Sequence, residues 1–236
     1  MMTEDELDRL MCELASRTGR DWRQVWRGRI WRLTVRGAYT VKRALDVVVS
    51  ALALLLLSPL FLLTYLAVRL TSRGPAVFSQ TRVGRDGRHF QFYKFRSMYV
   101  DAEMRKAALL AQNESAGGII FKMKNDPRIT PVGRVLRKFS IDELPQLWNV
   151  LRGDMTLVGP RPPVPSEVAQ YTLEERKRLN VIPGLTCTWQ VSGRSNIPFQ
   201  EQVRLDKEYI RTHGLWNDFK ILLKTIPAIL SGKGAY

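Results

Sequence analysis

Cysteine and histidine are scarce: Cys12, Cys187, His89 and His213 are the only ones among 236 residues. The two cysteines lie far apart, with no CxxC partner and no metal-ligand spacing. They argue against a disulfide framework or a zinc site and for free thiols in a reducing compartment. The isolated histidines argue equally against His-based metal or triad chemistry. Acidic side chains are in deficit, 22 against 37 Lys and Arg, which leaves a formal charge of +15 and a pI near 10.3. Such an excess calls for an anionic partner: nucleic acid, acidic lipid or a phosphorylated substrate. With 45% hydrophobic and 25% charged residues the chain is not disordered, and its length suits one substantial domain with appendages. It contains no internal repeat and no low-complexity tract.

One long stretch lacks charge altogether. From Val47 to Val68 run 22 residues, VVVSALALLLLSPLFLLTYLAV, roughly 33 Å if helical and straight, enough to cross a hydrocarbon core. A single-pass anchor is the plain reading. Against it stands Ser58-Pro59 at the middle, where proline lacks an N–H and frees the carbonyl four residues earlier. Ser58 can re-satisfy such a group. Both flanks are also basic, Lys42 and Arg43 before and Arg69 and Arg73 after, whereas a spanning helix wants asymmetry. A helix that enters, bends at Ser58-Pro59 and returns keeps both flanks on one side, so the two forms compete. Residues 17–43 carry nine Lys and Arg against Asp21 alone, with Trp22, Val25, Trp26, Ile30 and Leu33 at helical spacing. That pattern suits a helix lying in the lipid interface with its arginines toward anionic phospholipid headgroups. Residues 1–16, with an acidic start, look like a short amphipathic cap.

After Gly74-Pro75 the pattern becomes a hairpin: Ala76 to Val83 and Arg88 to Met98 flank Gly84-Arg85-Asp86-Gly87. Residues 99–116 read as a polar helix. Leu144, Leu147, Trp148 and Leu151 recur at i, i+3, i+4 and i+7, an amphipathic helix ending at Gly153 with Pro145 in its first turn. This puts Asp142 and Glu143 at a helix N-terminus. Acidic residues there are ordinarily caps, and Ser140 with Glu143 fits a capping box. The surroundings argue for more. Arg128, Arg134, Arg137 and Lys138 precede the pair, and Arg161 follows within the stiff Gly159-Pro160-Arg161-Pro162-Pro163 loop. Backbone N–H groups and forked guanidinium donors both suit phosphate oxygens. Their field keeps a nearby carboxylate ionised and available as a nucleophile.

Several motifs occur in an order that resembles a known family, the monotopic phosphoglycosyl transferases, or bacterial sugar transferases. They are KRALD (42–46), the apolar segment with Ser58-Pro59, QTRVGRDGRHFQFYKFRSM (80–98), LRKFSIDELPQLWNVLRGDM (136–155), VGPRPP (158–163), PGLTCTWQVSGR (183–194) and a terminal GAY. The resemblance covers residues 41–236. Cys187 and Thr188 stand where relatives commonly carry Gly and Leu.

The resemblance implies an α+β, helix-rich monotopic membrane enzyme with a re-entrant helix broken at Ser58 and Pro59, interfacial amphipathic helices and a small β-hairpin. Its parts would be a basic membrane-surface leader (1–40), the re-entrant helix (41–73) and a catalytic domain (74–236). Asp142 would be the nucleophile on the β-phosphorus of a UDP-sugar, releasing UMP, and Glu143 its partner. Mg²⁺ would sit at Asp142 and Glu143. Undecaprenyl phosphate would then take the sugar phosphate, starting polysaccharide or O-antigen assembly. Arg137 and Arg161 are the leading phosphate contacts, followed by Lys94, Arg96, Arg128 and Arg194; Asp46 would be a polar anchor near the start of the membrane helix. The expected location is the bacterial inner membrane, catalytic domain on the cytoplasmic face, with no nucleic acid partner; a homo-oligomer is compatible with the sequence. The competing reading is a single-pass membrane protein whose basic domain binds nucleic acid or an acidic partner.

Overall fold

The computed structural model describes residues 22–109, 113–114, 121, 123–232 and 234. The acidic start and the first half of the basic leader lie outside the described residues. Internal contacts divide the chain into residues 1–44 and 45–236. Of the first unit, helix α1 (Trp22–Leu56) is described from Trp22 onward, with Trp26, Tyr39 and Val41 exposed. The account below concerns residues from Leu45 on.

Helix α1 gives way at Leu57 to α2 (Ser58–Thr71). The bend has the cause the sequence suggests. Pro59 leaves the carbonyl of Leu55 without its helical donor, and the Ser58 hydroxyl donates to that carbonyl at 2.8 Å. Among the described residues no single helix is long and apolar enough to cross a membrane. The pair Gly37–Leu56 and Ser58–Thr71, bent by 61°, meets that test only when taken together. Leu62, Leu63, Leu66 and Leu70 on α2 are exposed, while Thr64 and Val68 face inward.

Strands β1 (Val77–Val83) and β2 (His89–Phe95) pair antiparallel, from Val77 opposite Phe95 to Val83 opposite His89. The turn is the expected one, with Asp86 and Gly87 at φ 56° and 79°. Helix α3 (Ala102–Leu109) is shorter than the polar helix predicted over 99–116, part of which lies outside the described residues. Helix α4 (Pro131–Lys138) is capped by Thr130, whose hydroxyl accepts from Gly133 N–H at 2.9 Å. Gly133 is obligatory, because a Cβ there would meet the Ser97 carbonyl oxygen at 1.9 Å. That close approach presses α4 against the end of the hairpin.

A 3₁₀ turn, Ile141–Glu143, precedes α5 (Gln146–Arg152). Here the structure corrects the expected continuous helix. Asp142 and Glu143 occupy the separate turn, and Pro145 stands just before α5. Ser140 is left-handed (φ 53°) and its side chain caps nothing, so the capping box does not form. Gly153 does end α5, at φ 90°. The buried Asn149 staples α5 to β2, its Nδ2 donating to Gln91 O at 2.6 Å and its Oδ1 accepting from Tyr93 N–H at 3.2 Å. Trp148, read as part of the apolar face, points outward; Leu147 and Val150 are the buried ones.

Strand β3 (Thr156–Val158) pairs in parallel with β4 (Gly184–Thr186), a contact no local pattern signals. Short helices α6 (Pro165–Val168) and α7 (Leu173–Arg176) lie between them. Helices α8 (Thr188–Ser192), α9 (Phe199–Thr212) and α10 (Leu215–Ser231) complete the chain. The main core gathers Phe92, Leu147, Val150, Met155, Leu157, Val158, Tyr209 and Ile221, with Ala53 and Leu54 of α1 against it. Asp46, buried on α1, anchors that helix to β3: its carboxylate accepts from the Thr156 hydroxyl and, at 3.2 Å, from Leu157 N–H. Such partners offset the cost of burying a carboxylate.

Candidate active site

A cavity of about 540 Å³ opens over the hairpin and the Ile141–Glu143 turn, within the usual range for small-molecule sites. Three structural features set its walls. The period-two alternation of the hairpin puts Gln80, Arg82 and Lys94 on one face, and all three line the cavity. The turn supplies Asp142 and Glu143, and the loop after β3 supplies Arg161. That loop is held from two sides. Pro163 O accepts from Val83 N–H at 2.9 Å, and Pro162 O from Arg82 Nη1 at 2.9 Å. At its base, a Cβ on Gly184 would meet Gly159 N at 2.0 Å, so only glycine lets the strands close there.

The two carboxylates differ in environment. Asp142 is 7% exposed, and among the described residues no hydrogen bond or ion pair holds it. Burial, reinforced by the neighbouring Glu143 charge, pushes its pKa up to about 6, against the pull of Lys94, Arg137 and Arg161. Glu143 is half-buried, and this desolvation disfavours its charge. Arg161 overcomes this, with its Nη1 2.8 Å from Glu143 Oε1, and Lys94 and Arg194 add to the effect, so Glu143 stays below the ordinary carboxylate range. Environments that push adjacent carboxylates apart are the mark of divided roles. Asp142 is left without a partner among the described residues, whereas Arg161 holds Glu143.

The basic side chains also divide. Lys94 sits 5.3 Å from the Phe78 ring. Burial first, then Arg137, Arg82 and Arg161, lower its pKa to about 8, opposed by Asp142. Arg137 lines the cavity from α4, half-buried and with no ion-pair partner among the described residues. Arg194, itself left-handed at φ 52°, donates from Nη2 to Ser140 Oγ at 3.1 Å, while its buried Nη1 has no partner among the described residues. Two left-handed non-glycine residues thus clasp the start of the Asp142 turn, and backbone strain of this kind gathers at functional sites.

Two other predicted phosphate contacts are committed elsewhere. Arg128 reaches the cavity wall but is engaged with Asp126 at 2.7 Å, both side chains buried, and lies over Phe121. Arg96 does not line the cavity; it donates to Ser72 O and Oγ at 2.8 and 2.7 Å, joining β2 to the end of α2. Ser58 and Pro59 form the helix break. Arg134 and Lys138 face a different cavity, described below.

Sequence reasoning passed over Arg82, although it lies inside the QTRVGR motif. Burial lowers its pKa to about 10. It also missed the far wall, where Arg178 and Asp206 pair at 2.6 Å with both side chains almost wholly buried, and Tyr171 accepts from Arg178 Nη1 at 3.1 Å. Tyr171 precedes α7, Arg178 lies in the turn after it and Asp206 on α9, and no spacing rule joins them.

Among the described residues no three His, Cys, Asp or Glu side chains cluster to hold a metal. Both Asp142 oxygens and Glu143 Oε2 nevertheless accept no hydrogen bond among those residues. Such a pair suits a Mg²⁺ ion that draws its remaining ligands from water and substrate phosphates, as this ion commonly does.

Residues 37–232 match the profile of the bacterial sugar transferases. The chain belongs to that family. It is 49% identical over 195 residues to the galactosyl transferase CpsE of Streptococcus agalactiae, covering 82% of this chain and 43% of that protein. It is 45% identical over 208 residues to the undecaprenyl-phosphate galactose phosphotransferase of Salmonella typhimurium, covering 86% and 43%. It is 43% identical over 203 residues to the UDP-glucose:undecaprenyl-phosphate glucose-1-phosphate transferase of Caulobacter vibrioides, covering 83% and 72%. The chain thus spans 43% of the length of the first two relatives.

Proposed function

We propose that this chain transfers a hexose 1-phosphate from a UDP-hexose to undecaprenyl phosphate, through a covalent intermediate on Asp142. The observation that carries the reading is the buried Asp142 carboxylate, without a partner among the described residues, in a cavity where Lys94, Arg137 and Arg161 act on it against the neighbouring Glu143. The names of the Salmonella and Caulobacter relatives specify a hexose and this lipid, which supports the choice of donor and acceptor.

In the first half-reaction an Asp142 oxygen forms a bond to the β-phosphorus. The bond from that phosphorus to the bridging oxygen breaks, its electron pair leaving on UMP. In the second, a phosphate oxygen of the lipid attacks the same phosphorus, the bond to Asp142 breaks, and the carboxylate is regenerated. Arg161 and Arg137 meet the phosphoryl oxygens, where positive charge fixed in advance stabilises the charge that spreads at transfer. Glu143, pinned by Arg161, keeps that guanidinium aimed. Asp142 and Glu143 together would hold Mg²⁺, which when bound neutralises the diphosphate.

The chain would work at the bacterial inner membrane from its cytoplasmic face, with α1 and α2 as a re-entrant hairpin and both basic flanks toward anionic phospholipid. The 61° bend and the Ser58–Leu55 hydrogen bond support this topology. A panel of UDP-sugars assayed for UMP release with undecaprenyl phosphate and Mg²⁺ tests the reaction. Acid-quenched protein should carry the sugar phosphate on Asp142. Full turnover by a folded Asp142→Asn variant rejects the mechanism. Labelling that places Lys42 and Arg73 on opposite faces favours a single-pass protein with a basic binding domain.

A further inference from the structure

A second cavity, of about 520 Å³, has Arg137 in its wall as well. Its other charged lining residues are Lys124, Arg134, Lys138 and Asp126. The single carboxylate is already neutralised, because Arg128 holds Asp126 at 2.7 Å. The cavity is therefore lined by four cations and no available anion. Arg134 and Lys138 stand four residues apart on α4, the spacing at which like charges destabilise a helix. Among the described residues neither has an ion-pair partner. A cluster of this kind costs local stability until an anion enters, which is how binding sites depart from the rules the rest of a fold obeys.

The setting identifies the anion's carrier. The inner face of α4, through Leu136 and Val132, packs on Phe61 and Val68 of α2. The outer residues of α2, Leu62, Leu63, Leu66 and Leu70, are 45–84% exposed, and Val135 and Phe139 of α4 are exposed too. A basic cavity one helix away from a leucine-covered surface fits a phosphate carried on a long apolar chain. A free nucleotide would gain nothing from the leucines.

We infer that this cavity receives the phosphate of the lipid monophosphate acceptor, and that Arg137, shared by both cavities, marks where it meets the Asp142 site. The inference rests on the proposed reaction and adds a separate port for the acceptor.

The test uses the full chain in neutral detergent with the double variant Arg134→Gln/Lys138→Gln; both side chains are exposed, so folding is retained. Three quantities are read: UMP released from UDP-hexose without acceptor, the KM for undecaprenyl phosphate, and direct binding of that lipid by tryptophan fluorescence. The expected result is an unchanged UMP burst with KM and dissociation constant raised about tenfold or more. Arg134→Lys should keep both near wild type. A KM within twofold of wild type overturns the inference, as does a UMP burst that falls in parallel. So does a defect confined to binding phosphatidylglycerol vesicles, which would assign the cavity to bulk headgroups. If wild type releases no UMP from any UDP-hexose, the reaction itself is wrong. The binding measurement still decides the cavity, because equal lipid affinity in wild type and double variant refutes it.

Discussion

Replacing Arg161 with methionine tests the electrostatic argument most directly. Methionine keeps much of the volume and removes the charge that holds Glu143 at 2.8 Å. In the wild type, burial raises both carboxylates and Arg161 opposes that rise, most strongly at Glu143. Without it both carboxylates ionise at higher pH, and Glu143 no longer has a partner. A hydrogen bond between ions is worth about 1.5–3 kcal/mol, so kcat/KM at pH 7 should fall about 10- to 150-fold. The pH dependence carries the sharper information. The variant regains activity as pH rises above 7, because its Asp142 ionises later. The wild type loses activity there, because Lys94 gives up its charge near pH 8. The wild-type advantage therefore shrinks with rising pH. The assay is UMP release at subsaturating UDP-sugar from pH 6 to 9, with melting temperature as a control for folding. A ratio flat across that range, or a variant within threefold of wild type at pH 7, refutes the reasoning.

Asp142→Asn should abolish transfer and stabilise the protein. The folded pKa of about 6 lies above the ordinary 3.8, so the carboxyl favours folding below pH 3.8 and that contribution is lost as pH rises through 6. The cost at pH 8 is at most about 3 kcal/mol, so the variant's gain in melting temperature should be larger at pH 8 than at pH 4.5; an equal gain at both counts against it. Lys94→Arg keeps a charge that does not titrate, and its kcat/KM should lose the decline near pH 8; a persisting decline assigns that limb to another group. Replacing both Ser58 and Pro59 by leucine removes the cause of the 61° bend and should let α1 and α2 run straight, moving residue 73 to the opposite face in accessibility labelling. An unchanged labelling pattern means that the contacts of α2 with Phe95 and Leu136 hold the bend without them.

What was legible in the sequence is what short-range physics controls. The hairpin could be read because Asp86-Gly87 needs left-handed backbone and the flanking strands alternate, and the helix break because proline acts on its own turn. The end of α5 at Gly153 follows the same logic. The expected helix start at Asp142 failed for a local reason with a distant cause. Ser140 takes a left-handed conformation, which its residue type does not favour, and Arg194, 54 residues later, meets its side chain. Charge clusters misled in the same way. Arg128, Arg134, Arg137 and Lys138 form one run in sequence, but α4 and the segment before it turn them apart. Arg128 goes to Asp126, Arg137 to the Asp142 cavity, and Arg134 and Lys138 to the second cavity. A run of basic residues states only that anions are welcome. The helix period and the burial of Leu136 decide where each member of the run faces, and here the geometry divides it between two cavities that share Arg137.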